Sequence, residues 1–338
     1  MLGDVGEALD LGVLGGEVRD RVENEIGQGE ITLDPGGGEV ADCDSNCVAA
    51  WLRPQLLNHR SGEVDATDTD PPFGERQGDA VLRLEPTYAM YDVYGRIFGG
   101  RQIVVDYRAS TDGPILDLDE LHSTLESRAP RLVCVPNPAS PTGTVLDLDD
   151  LASIAEAVNR HDGVLVVDEA YYPFDPVTAV SLLADHPNIV VVRTFSKAWA
   201  MSGLRIGYCV AGLEMTRLLH KVRPGYETNF VAVRMAEALL AEEETMLRSV
   251  ARLNDGRDRF LDEMVDLGLR TALSGGNFLL VEFAGHAPQV HRALEDLVLY
   301  RRDFGHPSVA GFSGFSATTS DRFAPVAARI RTVIGDGR

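Results

Sequence analysis

Two lysines, Lys197 and Lys221, stand in a chain of 338 residues whose basic side chains number 31, leaving 29 arginines. A residue type so nearly displaced by arginine is expected where arginine cannot substitute, and covalent chemistry on an amine is the leading such case. Arginine stays protonated near neutral pH and forms no Schiff base, whereas a desolvated lysine does. Lys197 follows a β-branched run in VVRTFSKAWAMSGLRIGYCVAG, while Lys221 falls in a helical stretch where a solvated role is expected. Other reactive groups end apolar runs in the same way. GVLVVDEAYY delivers Asp168, Glu169 and Tyr171; NIVVVRTFSK delivers Thr194, Ser196 and Lys197; RLVCVPNPASPTG delivers Asn137, Ser140 and Thr142. Open α/β sheets bind ligands at the carboxyl ends of their strands, so these groups are expected in one pocket. A lone Asp at a strand end also serves as a cap or turn former. Buried, it needs a cation or donor, and beside Lys197 a protonated heterocyclic nitrogen fits, which points to a cofactor site.

The elements that must hold these groups follow from hydrophobic pattern. DAVLRL, QIVVDY, RLVCVP, GVLVVDEA, NIVVVRTF and RIGYCVAG read as buried strands, and LDELHSTLESR and LDDLASIAEAVNRH as amphipathic helices between them. That alternation predicts an α/β large domain with a mostly parallel sheet covered by helices, over residues 31–212, after an amino-terminal helical segment at 1–30. EVRDRVENEIG reads as a helix, EITL as a strand, and GGGEVADCDSNCVAAWL as a glycine turn entering another helix. Residues 41–79 read as an irregular insertion, acidic and turn-rich from 59 onward. Connecting helices are expected at 213–250 and a smaller α+β domain at 251–338, with strand-like runs FLLVEFAG, LVLYRRDF and VAGFSGFSA, the helix QVHRALEDLVL and a final helix FAPVAARIRTVI.

Composition excludes several classes. With 44% hydrophobic residues the chain is not generally disordered, and a net charge of −21 argues against nucleic-acid partners. The acid excess fits a salt-adapted cytoplasm or the codon bias of a G+C-rich genome alike. No apolar run reaches the roughly 18 residues needed to span a bilayer, and MLGDVGEALDLG lacks the basic start of a signal peptide, so the expected location is cytoplasmic, with no membrane partner. Cys43, Cys47, Cys134 and Cys209 form no disulfide framework, and Cys43, Cys47 and His59 lack a second matching pair, so no metal is expected.

The strings EPTYAMYDVY, PNPASPTG, VDEAYY, RTFSKAWAMSGLRIGY and SGGNFLLVEF, in that order, resemble aminotransferases of the aspartate aminotransferase fold (fold type I, class I/II), nearest the histidinol-phosphate aminotransferase group. The resemblance covers roughly residues 18–40 and 80–300 and implies pyridoxal 5'-phosphate as cofactor. It further implies that Lys197 forms the internal aldimine and moves the proton between substrate and cofactor, that Asp168 pairs with the pyridinium nitrogen, and that Tyr171 donates to the phenolic oxygen. Tyr88 would stack on the ring. Thr194, Ser196, Arg205 and a glycine turn at Gly36, Gly37 and Gly38 would bind phosphate, with Asn137 and Ser140 completing the cofactor ligands. Arg302 and Asn277, with Tyr226 nearby in the expected pocket, would meet the substrate. A homodimer is implied, as are small-molecule partners, an amino donor and a carbonyl acceptor.

The chain departs from that group's pattern in four places. Ser140 replaces an Asn before PTG, and Ser313, in GFSGFSATTS, falls where an arginine normally clamps the substrate carboxylate. The amino-terminal arm and its tyrosine are lacking, and residues 41–79 are longer than usual. The expected activity is ping-pong transamination of an amino acid or phosphorylated amino compound in biosynthesis. The alternatives are decarboxylation of a phosphorylated amino acid on the same cofactor, and a catalytically impaired paralogue with a binding or regulatory role.

Overall fold

The computed structural model describes residues 39–43 by their backbone, together with residues 79–222 and 228–335. The expected helix EVRDRVENEIG, the strand EITL, Gly36, Gly37, Gly38, Tyr226 and most of the 41–79 stretch lie outside the described residues.

Seven strands form the principal sheet. In chain order they are β1 (Glu39–Cys43), β2 (Ala80–Glu85), β3 (Arg101–Asp106), β6 (Leu132–Pro136), β7 (Val164–Asp168), β8 (Ile189–Thr194) and β9 (Gly207–Ala211), and a short hairpin of β4 (Arg108–Ser110) and β5 (Gly113–Ile115) follows β3. The spatial order is β1-β9-β8-β7-β6-β2-β3. From β3 to β8 every pairing is parallel; β9 runs antiparallel to β8, and β1 antiparallel to β9. The six strands read from the sequence are all present. Every residue of β6 and β9 is buried, which explains their continuous apolar runs: both sheet faces are covered.

The covering helices obey local rules. In α2 (Leu118–Arg128) Asp117 caps the amino end by accepting from Glu120 N at 3.0 Å, and Leu121 and Leu125 enter the core. In α3 (Leu148–Asn159) Asp147 accepts from Asp150 N at 2.9 Å, and Leu151, Ile154, Ala155 and Val158 supply the i, i+3, i+4, i+7 stripe. The first helix, α1 (Met90–Ile97), buries Tyr91 and Gly95.

Beyond β9 the chain is helical through α4 (Leu213–Val222), α5 (Phe230–Leu240) and α6 (Glu243–Asp266), and Lys221 is exposed on α4. A three-stranded antiparallel sheet, β10 (Arg270–Ala272), β11 (Phe278–Glu282) and β12 (Phe312–Ser316), then packs against α6, α7 (Ala287–Leu294) and α8 (Ser320–Gly335). Its core is aromatic, with Phe260 stacked on Phe323 at 4.3 Å and Tyr300 on Phe315 at 4.4 Å.

Several local expectations fail. Glu39–Cys43, expected to lead into a helix, is an edge strand on β9; ladder pairing along β9 decides it, and propensity over five residues is too weak to oppose that. LVLYRRDF is no strand. Only Arg301 bridges Gly314, while Leu297, Val298 and Tyr300 pack on the small core and Leu299 is exposed. The hairpin and β10, three residues each, are too short to show alternation.

The two sheets are fastened beside the PTG turn. Arg270 donates to the carbonyls of Ser110 and Thr111, and Gly275 N donates to Gly143 O at 3.0 Å. Gly143 has φ +80°, and a Cβ there would lie 2.8 Å from the carbonyl oxygen of Leu273 and from Ser274. Both the backbone angle and the close approach demand glycine. Gly143→Ala is expected to cost about 1–3 kcal/mol in urea unfolding; an unchanged midpoint would show that the turn has slack.

Candidate active site

Register brings the expected groups to one edge. Pro136 pairs with Asp168, Asp168 with Val192, and Thr194 with Gly207, so β6, β7 and β8 end, and β9 begins, side by side. Asn137 N donates to Asp168 O and Glu169 N to Val192 O, both at 2.8 Å, which carries the ladder into the loops bearing the functional side chains.

Asp168 is the centre of this edge. Its Oδ1 accepts from Ala170 N at 3.0 Å and its Oδ2 from the Tyr91 hydroxyl. Burial raises its pKa above the ordinary value of 3.8, and this outweighs the lowering by the Tyr91 and Ala170 hydrogen bonds and by the charge of Lys197. Burial and Asp168 together push the Tyr91 hydroxyl well above 10.0, and burial pushes the Cys134 thiol to about 12. Burial thus opposes ionisation at all three groups, and the hydrogen bonds and Lys197 favour the anion at Asp168.

Lys197 Nζ lies 5.1 Å from the Tyr171 ring centroid, and that ring meets Phe278 edge-on at 5.2 Å. Lys197 is exposed among the described residues, so the desolvation expected for it is not supplied by them. Its neighbours are instead a π-face and the field of Asp168. Thr194 Oγ1 accepts from Ser196 N at 3.1 Å, and Arg205 donates to Ser196 Oγ at 3.4 Å and Ser202 O at 2.9 Å. A hydroxyl pair with an exposed guanidinium suits an anion such as phosphate. Arg205 holds φ +53°, a left-handed conformation uncommon for a side chain of this size. Tyr88, 53% exposed, meets Tyr91 edge-on at 6.1 Å.

Two groups are engaged differently from expectation. The Asn137 amide is buried and both its ends are bonded to the backbone of Leu146, Nδ2 to O at 3.0 Å and Oδ1 to N at 2.8 Å, so it fastens the loop after β6. Arg302 is half exposed and faces Glu295 at 3.7 Å on the small-sheet side. Ser140 is half-buried on the PTG loop. Asn277, also half-buried, precedes the Phe278 that touches Tyr171, and Ser313 is buried with its hydroxyl donating to Arg302 O at 3.3 Å.

Behind the edge, Glu169 and Arg193 form a buried ion pair at 3.0 Å. Glu169 also accepts from Ala179 N at 2.7 Å and Thr178 Oγ1 at 2.9 Å, while the guanidinium donates to Thr178 and Tyr208 and lies 3.6 Å from the Tyr172 ring centroid. This network ties the loop after Asp168 to the strand that delivers Lys197. Neither it nor Tyr91 stood out in the sequence. DEAYY shows the glutamate without a partner, and EPTYAMYDVY shows three tyrosines, Tyr88, Tyr91 and Tyr94, at successive i, i+3 spacings, the only signal that Tyr91 lies near Tyr88.

Residues 72–330 match the family described as aminotransferase class I and II. The chain belongs to that family. Among its relatives, histidinol-phosphate aminotransferase 1 of Carboxydothermus hydrogenoformans is 36% identical over 217 residues, 64% of this chain and 60% of that one. A histidinol-phosphate aminotransferase of Thermobifida fusca is 34% identical over 274 residues, 77% of this chain and 73% of that protein. The matched part thus spans 60% to 65% of the length of the first three curated relatives. The solved histidinol-phosphate aminotransferase of Clostridium acetobutylicum superposes with a TM-score of 0.74 at 17% identity, covering 97% of this chain and 92% of that one. That of Sinorhizobium meliloti, in complex with pyridoxal 5'-phosphate, gives 0.66 at 22% identity over 96% and 88%. An aspartate aminotransferase variant of Thermus thermophilus gives 0.70 at 22% identity over 94% and 85%. The fold of this aminotransferase-family chain is therefore the aspartate aminotransferase fold. Among the described residues no helix is long and apolar enough to cross a membrane.

The raised pKa of Asp168 has a stability consequence. A carboxyl that binds its proton more tightly when folded contributes stability that is present below 3.8 and is lost as pH rises through its elevated folded value. Ligand-free Asp168→Asn is thus expected to be more stable than the unsubstituted protein at pH 7, with the gap closing toward pH 4 in urea unfolding. A gap that widened on acidification would contradict the assignment.

Proposed function

We propose that this protein is a pyridoxal-phosphate-dependent aminotransferase that moves an amino group from a phosphorylated amino compound or amino acid to a keto acid. The observation that carries the proposal is the half-buried Asp168 carboxylate beside the Lys197 amine at adjoining strand ends, with Thr194, Ser196 and Arg205 on the neighbouring turn. These donors fit the cofactor: a carboxylate for a protonated ring nitrogen, an amine for an aldehyde, and hydroxyls with a guanidinium for phosphate.

When bound, pyridoxal phosphate supplies an aldehyde carbon that accepts amines and a ring that accepts the electrons released at an α-carbon. Asp168 would hold the proton on the ring nitrogen, with Lys197 and the hydrogen bonds from Tyr91 and Ala170 favouring its anion. Lys197 Nζ would take the proton from the substrate's α-carbon and deliver it to the cofactor's aldehyde carbon; its exposure leaves room for that movement. Tyr171, fixed edge-on by Phe278, donates to the phenolic oxygen, and Tyr88 covers the ring face. The hydroxyls of Thr194 and Ser196 and the Arg205 guanidinium would bind the phosphate, with Gly36, Gly37 and Gly38 as further proposed ligands and Ser140 and Asn137 on the loop after β6.

Asn277, next to Phe278, is proposed to meet the substrate, and Arg302 to do so on releasing Glu295. A phosphorylated amino substrate is supported by the names of the relatives, several being histidinol-phosphate aminotransferases. The decarboxylase and the impaired paralogue have no supporting observation. Residues 31–212 are proposed as the cofactor-binding domain and 251–338 as the small domain, joined by the helices of 213–250. A homodimer is supported by Phe230, Val231 and Met235, exposed on α5 where Asn229 donates to Leu204 O.

With an amino donor and a carbonyl acceptor varied together, steady-state rates are expected to give parallel double-reciprocal lines, and Lys197→Ala to lower the rate by roughly 10³-fold or more. Intersecting lines, or release of carbon dioxide without a keto acid, would overturn the proposal.

A further inference from the structure

We propose that Tyr91 is a positioning residue for the cofactor site, its hydroxyl fixing the Asp168 carboxylate and its ring fixing Tyr88. This rests on the aminotransferase function proposed above and assigns a role to a residue on no strand end. Tyr91 opens α1, is 1% exposed, and reaches from that helix to the last residue of β7. As a core residue it packs with Val81, Leu132 and Cys134. A phenylalanine would pack equally well, so the ring alone does not account for the hydroxyl.

What the hydroxyl adds is geometric. One Asp168 oxygen accepts from Ala170 N at 3.0 Å and the other from Tyr91, so two elements hold the two ends of the carboxylate and set the plane in which it turns. A carboxylate oxygen has a second lone pair, so accepting from Tyr91 leaves Asp168 able to meet a ring nitrogen. The other groups facing this pair are Lys197, which favours the anion, and Cys134, held neutral by burial. Three residues earlier and ahead of the helix, Tyr88 packs edge-on against the same Tyr91 ring at 88° between planes. A single side chain therefore links the group proposed to stack on the cofactor with the one proposed to hold its nitrogen, and keeps them in register.

The experiment compares the unsubstituted protein, Tyr91→Phe, Asp168→Asn and the double variant. Equilibrium affinity for pyridoxal phosphate is measured on each ligand-free protein, and the visible band of the loaded protein is titrated against pH. Tyr91→Phe is expected to weaken affinity roughly tenfold, the size of a hydrogen bond to a charged group, and to displace the midpoint of the band's titration by about half a unit or more. In the Asp168→Asn background the same change is expected to do neither. Wild-type affinity and titration in Tyr91→Phe, or equal losses in both backgrounds, would reduce Tyr91 to packing and overturn the inference. If the unsubstituted protein binds no cofactor, the proposed function fails first, an outcome distinct from a Tyr91→Phe protein that behaves as wild type.

Discussion

Drawing a carboxylate partly out of water at the end of a central strand is the constraint on which the rest of this site depends. Asp168 loses water on folding, and its own pKa records that the surrounding donors do not fully replace it. A protein carrying such a residue gives up stability unless a cationic ligand completes it. Tyr91, Ala170 and Lys197 hold the group in place and keep an anion accessible, while a protonated ring nitrogen would supply what they leave short. Stability is sacrificed where function requires charge, a common arrangement at binding sites.

The same edge shows how the scaffold limits movement around that charge. The parallel strands set the spacing of Asn137, Asp168 and Thr194 through backbone register, which side chains cannot alter. The reversal between β8 and β9 brings Arg205 back to the edge that Lys197 occupies, with Arg205 in a left-handed conformation. Glu169 and Arg193, buried one residue from each of Asp168 and Thr194, lock the two strand ends from behind. The pair is costly to bury and is compensated by Thr178, Ala179 and Tyr208, so its contribution is to geometry more than to net stability.

Much of this is legible in the amino-acid sequence. The six strands showed as apolar runs because a sheet covered on both faces leaves no polar alternation to confuse them, and the two helices between them showed by their apolar spacing. Lys197 was conspicuous by scarcity, since arginine has replaced nearly every other cation. Tyr91 and Arg193 were not legible, because a tyrosine in a helix and an arginine in a strand acquire meaning only through partners 77 and 24 positions away. LVLYRRDF misled for the opposite reason: strand-like composition was satisfied by packing against the small aromatic core, with no ladder to join beyond Arg301. Asn137 lies on the loop after β6, where its amide serves that loop's own backbone. On the small-sheet side, Arg302 faces Glu295 and Ser313 is buried, contacts that no motif in the sequence foretold.

The lysine scarcity that first drew attention to Lys197 also makes the central claim unusually easy to test, because only two amine side chains exist in the chain. Protein loaded with pyridoxal phosphate, reduced with borohydride and digested, can be mapped by mass spectrometry. The account predicts one cofactor adduct per chain, on the peptide containing Lys197, with Lys221 unlabelled. An adduct on Lys221, or none at either lysine, would contradict it.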